Sequence, residues 1–171
     1  RKGTTMKLGE KLRQMALRVP DRIAVVADDT RLSFAELDRR SNRLANALMA
    51  TGLQPGARIA LYLPNGAALI VVIAAVVKTG AVFVPISTRL STDEVQFIFN
   101  DCQPQMVVFA PAFRDAARAA AADLGAVTFI VTGTAEDGEA ALDRLIDDGD
   151  PAAPSPLPHD HDDCAIGYTS G

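Results

Sequence analysis

Short β-branched runs alternate along this chain with helical stretches of about 10 to 18 residues, and that alternation restricts it to an α/β fold. Leu8 to Val19 places apolar residues at 8, 12, 15, 16 and 19, which is helical spacing, and Pro20 stops it. Ile23 to Ala27 and Arg31 to Ser33 read as two short strands around an Asp28-Asp29 turn. Ser33 with Glu36 has the spacing of a capping box that opens a helix through Leu37, Leu44, Ala45 and Leu48, closed by Gly52. Arg58 to Leu63 follows as a buried strand, then an apolar helix from Ala67 to Gly80, then a strand over Val82 to Ile86. Ser91 with Glu94 opens the next helix. Met106 to Ala110 and Val127 to Val131 are strands flanking an alanine-rich helix from Pro111 to Leu124. Right-handed crossovers between such strands give a mostly parallel sheet with flanking helices.

Beyond Val131 the pattern weakens. Residues 1–133 form the expected α/β core. Residues 134–163 read as an acidic, proline-rich surface segment with a short helix over Glu139 to Ile146, and residues 164–171 as a final strand over Ala165 to Thr169. That middle segment holds ten of the 21 acidic residues and one base, Arg144.

Charge and composition exclude several function classes. No run of like bases is long enough for a nucleic-acid tail, and the chain has no Trp and two Tyr, so platforms for stacking bases are scarce. A nucleic-acid partner is not expected. The longest apolar run, Ala67 to Val77, ends at Lys78, well short of the ~20 residues a membrane helix needs. Cys102 and Cys164 are far apart in a sequence without a secretion signal, which points to a cytoplasmic location.

A self-contained active site is hard to assemble. No His precedes His159, and acid–base or triad chemistry usually needs one. Cys102 reads as a buried structural thiol, and the pairs Asp28-Asp29 and Asp147-Asp148 as solvated turn residues. The cluster from His159 to Asp163 could in principle gather on one metal, but after Pro154-Ser155-Pro156-Leu157-Pro158 it reads as a polar loop. The remaining candidate is Ile166-Gly167-Tyr168-Thr169-Ser170-Gly171. Glycine lets backbone amides approach a phosphate, and the hydroxyls of Thr169 and Ser170 add donors. In isolation this is equally a strand ending in a glycine turn.

Four segments in order decide between these readings. They are Leu32-Ser33-Phe34-Ala35-Glu36-Leu37; Lys78-Thr79-Gly80-Ala81-Val82-Phe83-Val84-Pro85-Ile86; Arg89-Leu90-Ser91 with Glu94; and Tyr168-Thr169-Ser170-Gly171. Together they resemble the acyl-adenylate-forming (AMP-binding) superfamily, which includes acyl-CoA synthetases and peptide-synthetase adenylation domains. Tyr168 to Gly171 is similar to the start of that family's glycine-rich loop. Departures are mild: Phe34 and Phe83 stand where Tyr is frequent, and Thr79 where Ala is frequent.

The resemblance implies the N-terminal subdomain of the large domain of an adenylate-forming enzyme. It implies a ligase that uses ATP and Mg²⁺ to convert a carboxylic acid, fatty or aromatic, into an acyl-adenylate, and then passes the acyl group to coenzyme A with release of AMP and pyrophosphate. Thr169, Ser170 and Gly171 would contact the ATP phosphates. The upstream motifs are expected to build scaffold without touching substrate. The resemblance also admits a homodimer.

The 171 residues are expected to be one stretch of a longer protein and, alone, to be inactive, because the remaining machinery would lie beyond Gly171. No catalytic residue and no metal ligand is assigned within them. Two rival readings stand beside this one: an amino-acid-activating adenylation domain, and a non-catalytic α/β binding module, which would require the apolar helix from Ala67 to be covered by the chain's own elements.

Overall fold

Successive side chains of a strand point to opposite faces, and here the two faces receive two different sets of helices. In the computed structural model, which describes residues 8–155 and 163–169, strand β3 (Arg58–Tyr62) sends Ile59 and Leu61 to one apolar layer and Ala60 and Tyr62 to the other. The first layer includes residues of α2 (Phe34–Ala50), α3 (Ala67–Thr79) and α6 (Leu142–Asp148), with Leu12 of α1 (Leu8–Arg18) packed against it. The second includes residues of α4 (Thr92–Cys102) and α5 (Arg114–Ala120). The sheet is parallel and runs β4-β3-β5-β6-β7, with β4 at Val82–Pro85, β5 at Met106–Phe109, β6 at Thr128–Val131 and β7 at Glu139–Ala141. The expected α/β class is therefore observed. A separate antiparallel hairpin, β1 (Ile23–Ala27) and β2 (Thr30–Ser33), turns at Asp28, whose φ is 48°.

Burial explains the unusual composition of α3. Val71, Val72, Ala74, Ala75, Val76 and Val77 are all buried, because the helix lies between the sheet and α2. Leu44, Leu48, Val72 and Val76 are among the fully buried side chains there, each stabilising the fold by roughly 1.5–3 kcal/mol relative to exposure. Gly80 ends the helix at φ 78°, a left-handed conformation that costs glycine little, and β4 begins two residues later.

Several local expectations need correction. The span from Glu139 to Ile146 is not one helix. Glu139–Ala141 pairs in parallel with β6, and only then does α6 begin. The reason is tertiary: Glu139 is held by two arginines of α5. Asp147 and Asp148 consequently close α6 and are not turn residues. The alanine-rich helix is shorter than expected. Pro111–Phe113 forms a 3₁₀ turn, and α5 stops at Ala120, where Ala122 and Leu124 donate to carbonyls three residues back and tighten the chain out of α-helical register.

The Ser33 cap is half of the expected box. Ser33 Oγ accepts from the Glu36 amide at 3.2 Å, but the Glu36 carboxylate turns to Arg39. Ser33 ends β2 and pairs with Ile23, so its backbone belongs to the hairpin. The Ser91–Glu94 box is complete in both directions.

The middle of the acidic segment is not free in solvent. Arg43, Asn42 and Asn46 of α2 donate to the carbonyls of Asp147, Gly149, Asp150, Pro151 and Ala152. Ala165–Thr169 is likewise not a full strand. It makes one parallel bridge, Ala165 with Phe83 of β4, after which Tyr168 leaves the ladder for α4.

Candidate functional site

Open parallel sheets offer ligands a crevice outside the carboxyl ends of their strands, where the chain turns away into helices. Such a crevice of about 770 Å³ lies here beyond β3 and β4, within the size range of small-molecule sites. Leu63, Pro64 and Asn65 follow β3 into one wall, and Ile86, Ser87, Thr88 and Arg89 follow β4 into another. Tyr168 and Thr169 close the third side.

Each wall has a local cause. The turn after β4 is set by the Leu90 amide donating to the Ser87 carbonyl at 3.2 Å. The Ser91–Glu94 box then starts α4 immediately, with Glu94 Oε2 2.8 Å from the Ser91 amide. That amide and the Ser91 hydroxyl hold the Glu94 carboxyl below its ordinary pKa. The third wall is supported by β4, since the Phe83 amide donates to the Cys164 carbonyl and the Ile166 amide to the Phe83 carbonyl, both at 3.0 Å.

Arg89 is the one charged side chain among the described residues lining the crevice. Asn65, Ser87, Thr88 and Thr169 add neutral polar groups, and no carboxylate is among the described lining residues. A guanidinium beside several hydroxyls, without opposing acid, suits an anion.

Thr169, expected at the phosphate site, is exposed in this lining. Ser170 and Gly171 lie outside the described residues, as do His159 to Asp162 of the histidine-aspartate cluster; Asp163 is exposed. Cys102 is buried as expected, and burial pushes its thiol up to about 11, which leaves it an inert neutral group. Among the described residues, no three His, Cys, Asp or Glu side chains gather to hold a metal, and no helix is long and apolar enough to cross a membrane.

Arg89 lies in one of the sequence motifs, whereas Ser87, Thr88 and Asn65 carry no motif signal; what marks them is position, within three residues of the end of a parallel strand.

The family model described as AMP-binding enzyme matches residues 12–171. The chain belongs to the AMP-binding enzyme family. Within it, the chain is 39% identical over 127 residues to the long-chain-fatty-acid–CoA ligase FadD13 of Mycobacterium tuberculosis, covering 71% of this chain and 25% of that protein. It is 40% identical over 96 residues to a dimodular nonribosomal peptide synthase of Bacillus subtilis, covering 56% of this chain and 4% of that one. Among solved structures, ATP-bound MatB from Rhodopseudomonas palustris superimposes with a TM-score of 0.81 at 32% identity, covering 96% of this chain and 32% of MatB. The AMP-binding segment described here thus spans a third or less of each of these relatives.

Proposed function

We propose that this chain forms the N-terminal part of the large domain of an enzyme that activates a carboxylic acid with ATP. In this reading the acid, fatty or aromatic, becomes an acyl-adenylate with loss of pyrophosphate. It is then transferred to the thiol of coenzyme A with loss of AMP. The observation that supports it most is the placement of Thr169 in a crevice shared with Arg89, whose described lining residues include no carboxylate. Thr169 and, by the family motif, Ser170 and Gly171 would contact the ATP phosphates, where hydroxyls and amides stabilise charge growing on the leaving pyrophosphate.

The lining fits a polyphosphate, since its charge is positive and its neutral groups include hydroxyl donors. Magnesium would arrive with ATP, and no residue of this segment is assigned to it. Coenzyme A, a cytoplasmic location and a homodimer belong to the same proposal through the family. The free thiols Cys102 and Cys164 agree with a reducing compartment.

The test is acid-dependent exchange of pyrophosphate into ATP by the whole protein, offered fatty, aromatic and amino acids in turn. Exchange with fatty or aromatic acids, followed by thioester formation on coenzyme A, supports the reading. The identity with a peptide synthase favours one alternative, amino-acid activation for a carrier protein; exchange with amino acids alone would establish that instead.

A further inference from the structure

Tyr168 stands directly before Thr169, and its hydroxyl donates to Asp101 Oδ2 of α4 at 2.5 Å. Its ring packs against the apolar layer beneath α4 and α5. The chain reaches it from two backbone hydrogen bonds on Phe83 and then leaves the sheet, with Gly167 between. Backbone pairing therefore ends at Ile166. Beyond it, among the described residues, the Tyr168 side chain ties the segment to α4 next to where Thr169 enters the crevice.

Asp101 is well placed for this duty. It lies in the last turn of α4, the helix whose capping box begins right after the Ser87–Leu90 turn. One rigid element thus connects the Arg89 wall and the Thr169 wall. The tyrosine also stays a proton donor, because burial and then the neighbouring Asp101 raise its pKa well above the ordinary value. A charge-assisted hydrogen bond is stronger than a neutral one and directional, so it fixes the ring against rotation about the backbone.

We propose that Asp101 is a positioning residue for Thr169, acting through the Tyr168 hydroxyl to set the point at which Thr169 meets the triphosphate of ATP. The proposal rests on the adenylation reading above for its ligand and on the geometry of this chain for its mechanism.

The test uses the whole protein as Asp101→Ala, Tyr168→Phe, the double variant and Asp101→Asn. Hydrogen exchange of residues 163–169 is expected to quicken in the first three. The KM for ATP should rise about fivefold in each single variant, the loss of one hydrogen bond, with a smaller change in kcat and an unchanged KM for the acid. The double variant should match the singles, since both remove one bond. Asp101→Asn, which keeps an acceptor oxygen, should recover most of the ATP affinity.

An unchanged KM for ATP with quickened exchange overturns the proposal, because the bond would then be structural only. Additive effects in the double variant overturn it too. If the wild-type protein activates no acid, the adenylation reading falls, and protection of residues 163–169 by added ATP decides the role of the Asp101–Tyr168 bond separately. Equal protection in wild type and Asp101→Ala would contradict it.

Discussion

Lys78 Nζ lies 2.7 Å from Asp38 Oδ1 with the lysine side chain only 2% exposed, so a buried ammonium ties the end of α3 to α2. Ser41 Oγ and Asn42 Oδ1 accept from the same nitrogen, each at 2.7 Å. Burial lowers the lysine pKa, and the hydrogen bond and charge of Asp38 oppose that shift. In the sequence Lys78 looked like the polar end of an apolar run. In the fold it binds three side chains of α2, Asp38, Ser41 and Asn42, at the end of an otherwise apolar α2–α3 interface.

Removing one member of a buried charge pair leaves its partner uncompensated, a loss of about 3–5 kcal/mol. Lys78→Met is therefore expected to destabilise the protein by about 3 kcal/mol. Urea unfolding of wild type and variant measures it. A change within a few tenths of a kcal/mol would show that Asp38, Ser41 and Asn42 are satisfied without the lysine.

Gly149 marks a close approach between α2 and the segment after α6. A Cβ built there would sit 2.2 Å from the Arg43 carbonyl oxygen, which is backbone and cannot swing aside. Gly149→Ala should cost about 1–3 kcal/mol, as overpacking does. Gly125→Ala, whose added carbon meets nothing within 4 Å, should leave the melting temperature nearly unchanged. Equal melting temperatures for both variants would refute the close packing.

Glu139 gives the fold an acid-sensitive clamp. Its side chain is 0% exposed and lies 3.0 Å from Arg114 Nε and 2.8 Å from Arg118 Nη2. Burial pushes its pKa up, but hydrogen bonds from Arg114, the Glu136 amide and Arg118 outweigh this and bring it down to about 2 from 4.5. A depressed folded-state pKa means the folded protein holds the proton less readily than the unfolded chain. The stabilisation is thus complete above pH 4.5 and is lost as pH falls toward about 2. Glu139→Gln should be less stable at neutral pH and should lose part of the wild type's pH dependence in that window. Urea midpoints between pH 6 and the acid limit, about pH 2, check the slope; parallel curves for the two proteins would contradict it.

The same clamp shows where local sequence signals fail. Strands β5 and β6 are rich in β-branched residues, β3 is apolar from Ile59 onward, and helices α2 and α4 begin at serine caps. These signals are local and were legible. Glu139-Ala140-Ala141 has no β-branched residue and favours helix by composition. It becomes a strand because Arg114 and Arg118, some twenty residues earlier, grip its carboxylate beside β6. Ala165–Thr169 fails for the opposite reason: its pattern suits a strand, but Tyr168 is drawn away to Asp101. The crevice was half legible. Thr169 stood in a recognisable motif, whereas Ser87, Thr88 and Asn65 become site residues only once β4 lies beside β3.

Thr169 lines the crevice beside Arg89, and pyrophosphate exchange into ATP reads out whether it serves the phosphates there. The whole wild-type protein should exchange in the presence of a fatty or aromatic acid. Thr169→Ala should lose roughly one to two orders of magnitude of that rate, somewhat less than loss of a dedicated oxyanion donor, with its melting temperature unchanged. Exchange by Thr169→Ala at the wild-type rate would remove Thr169 from the phosphate site, and no exchange by the wild type with any acid would rule out acid activation.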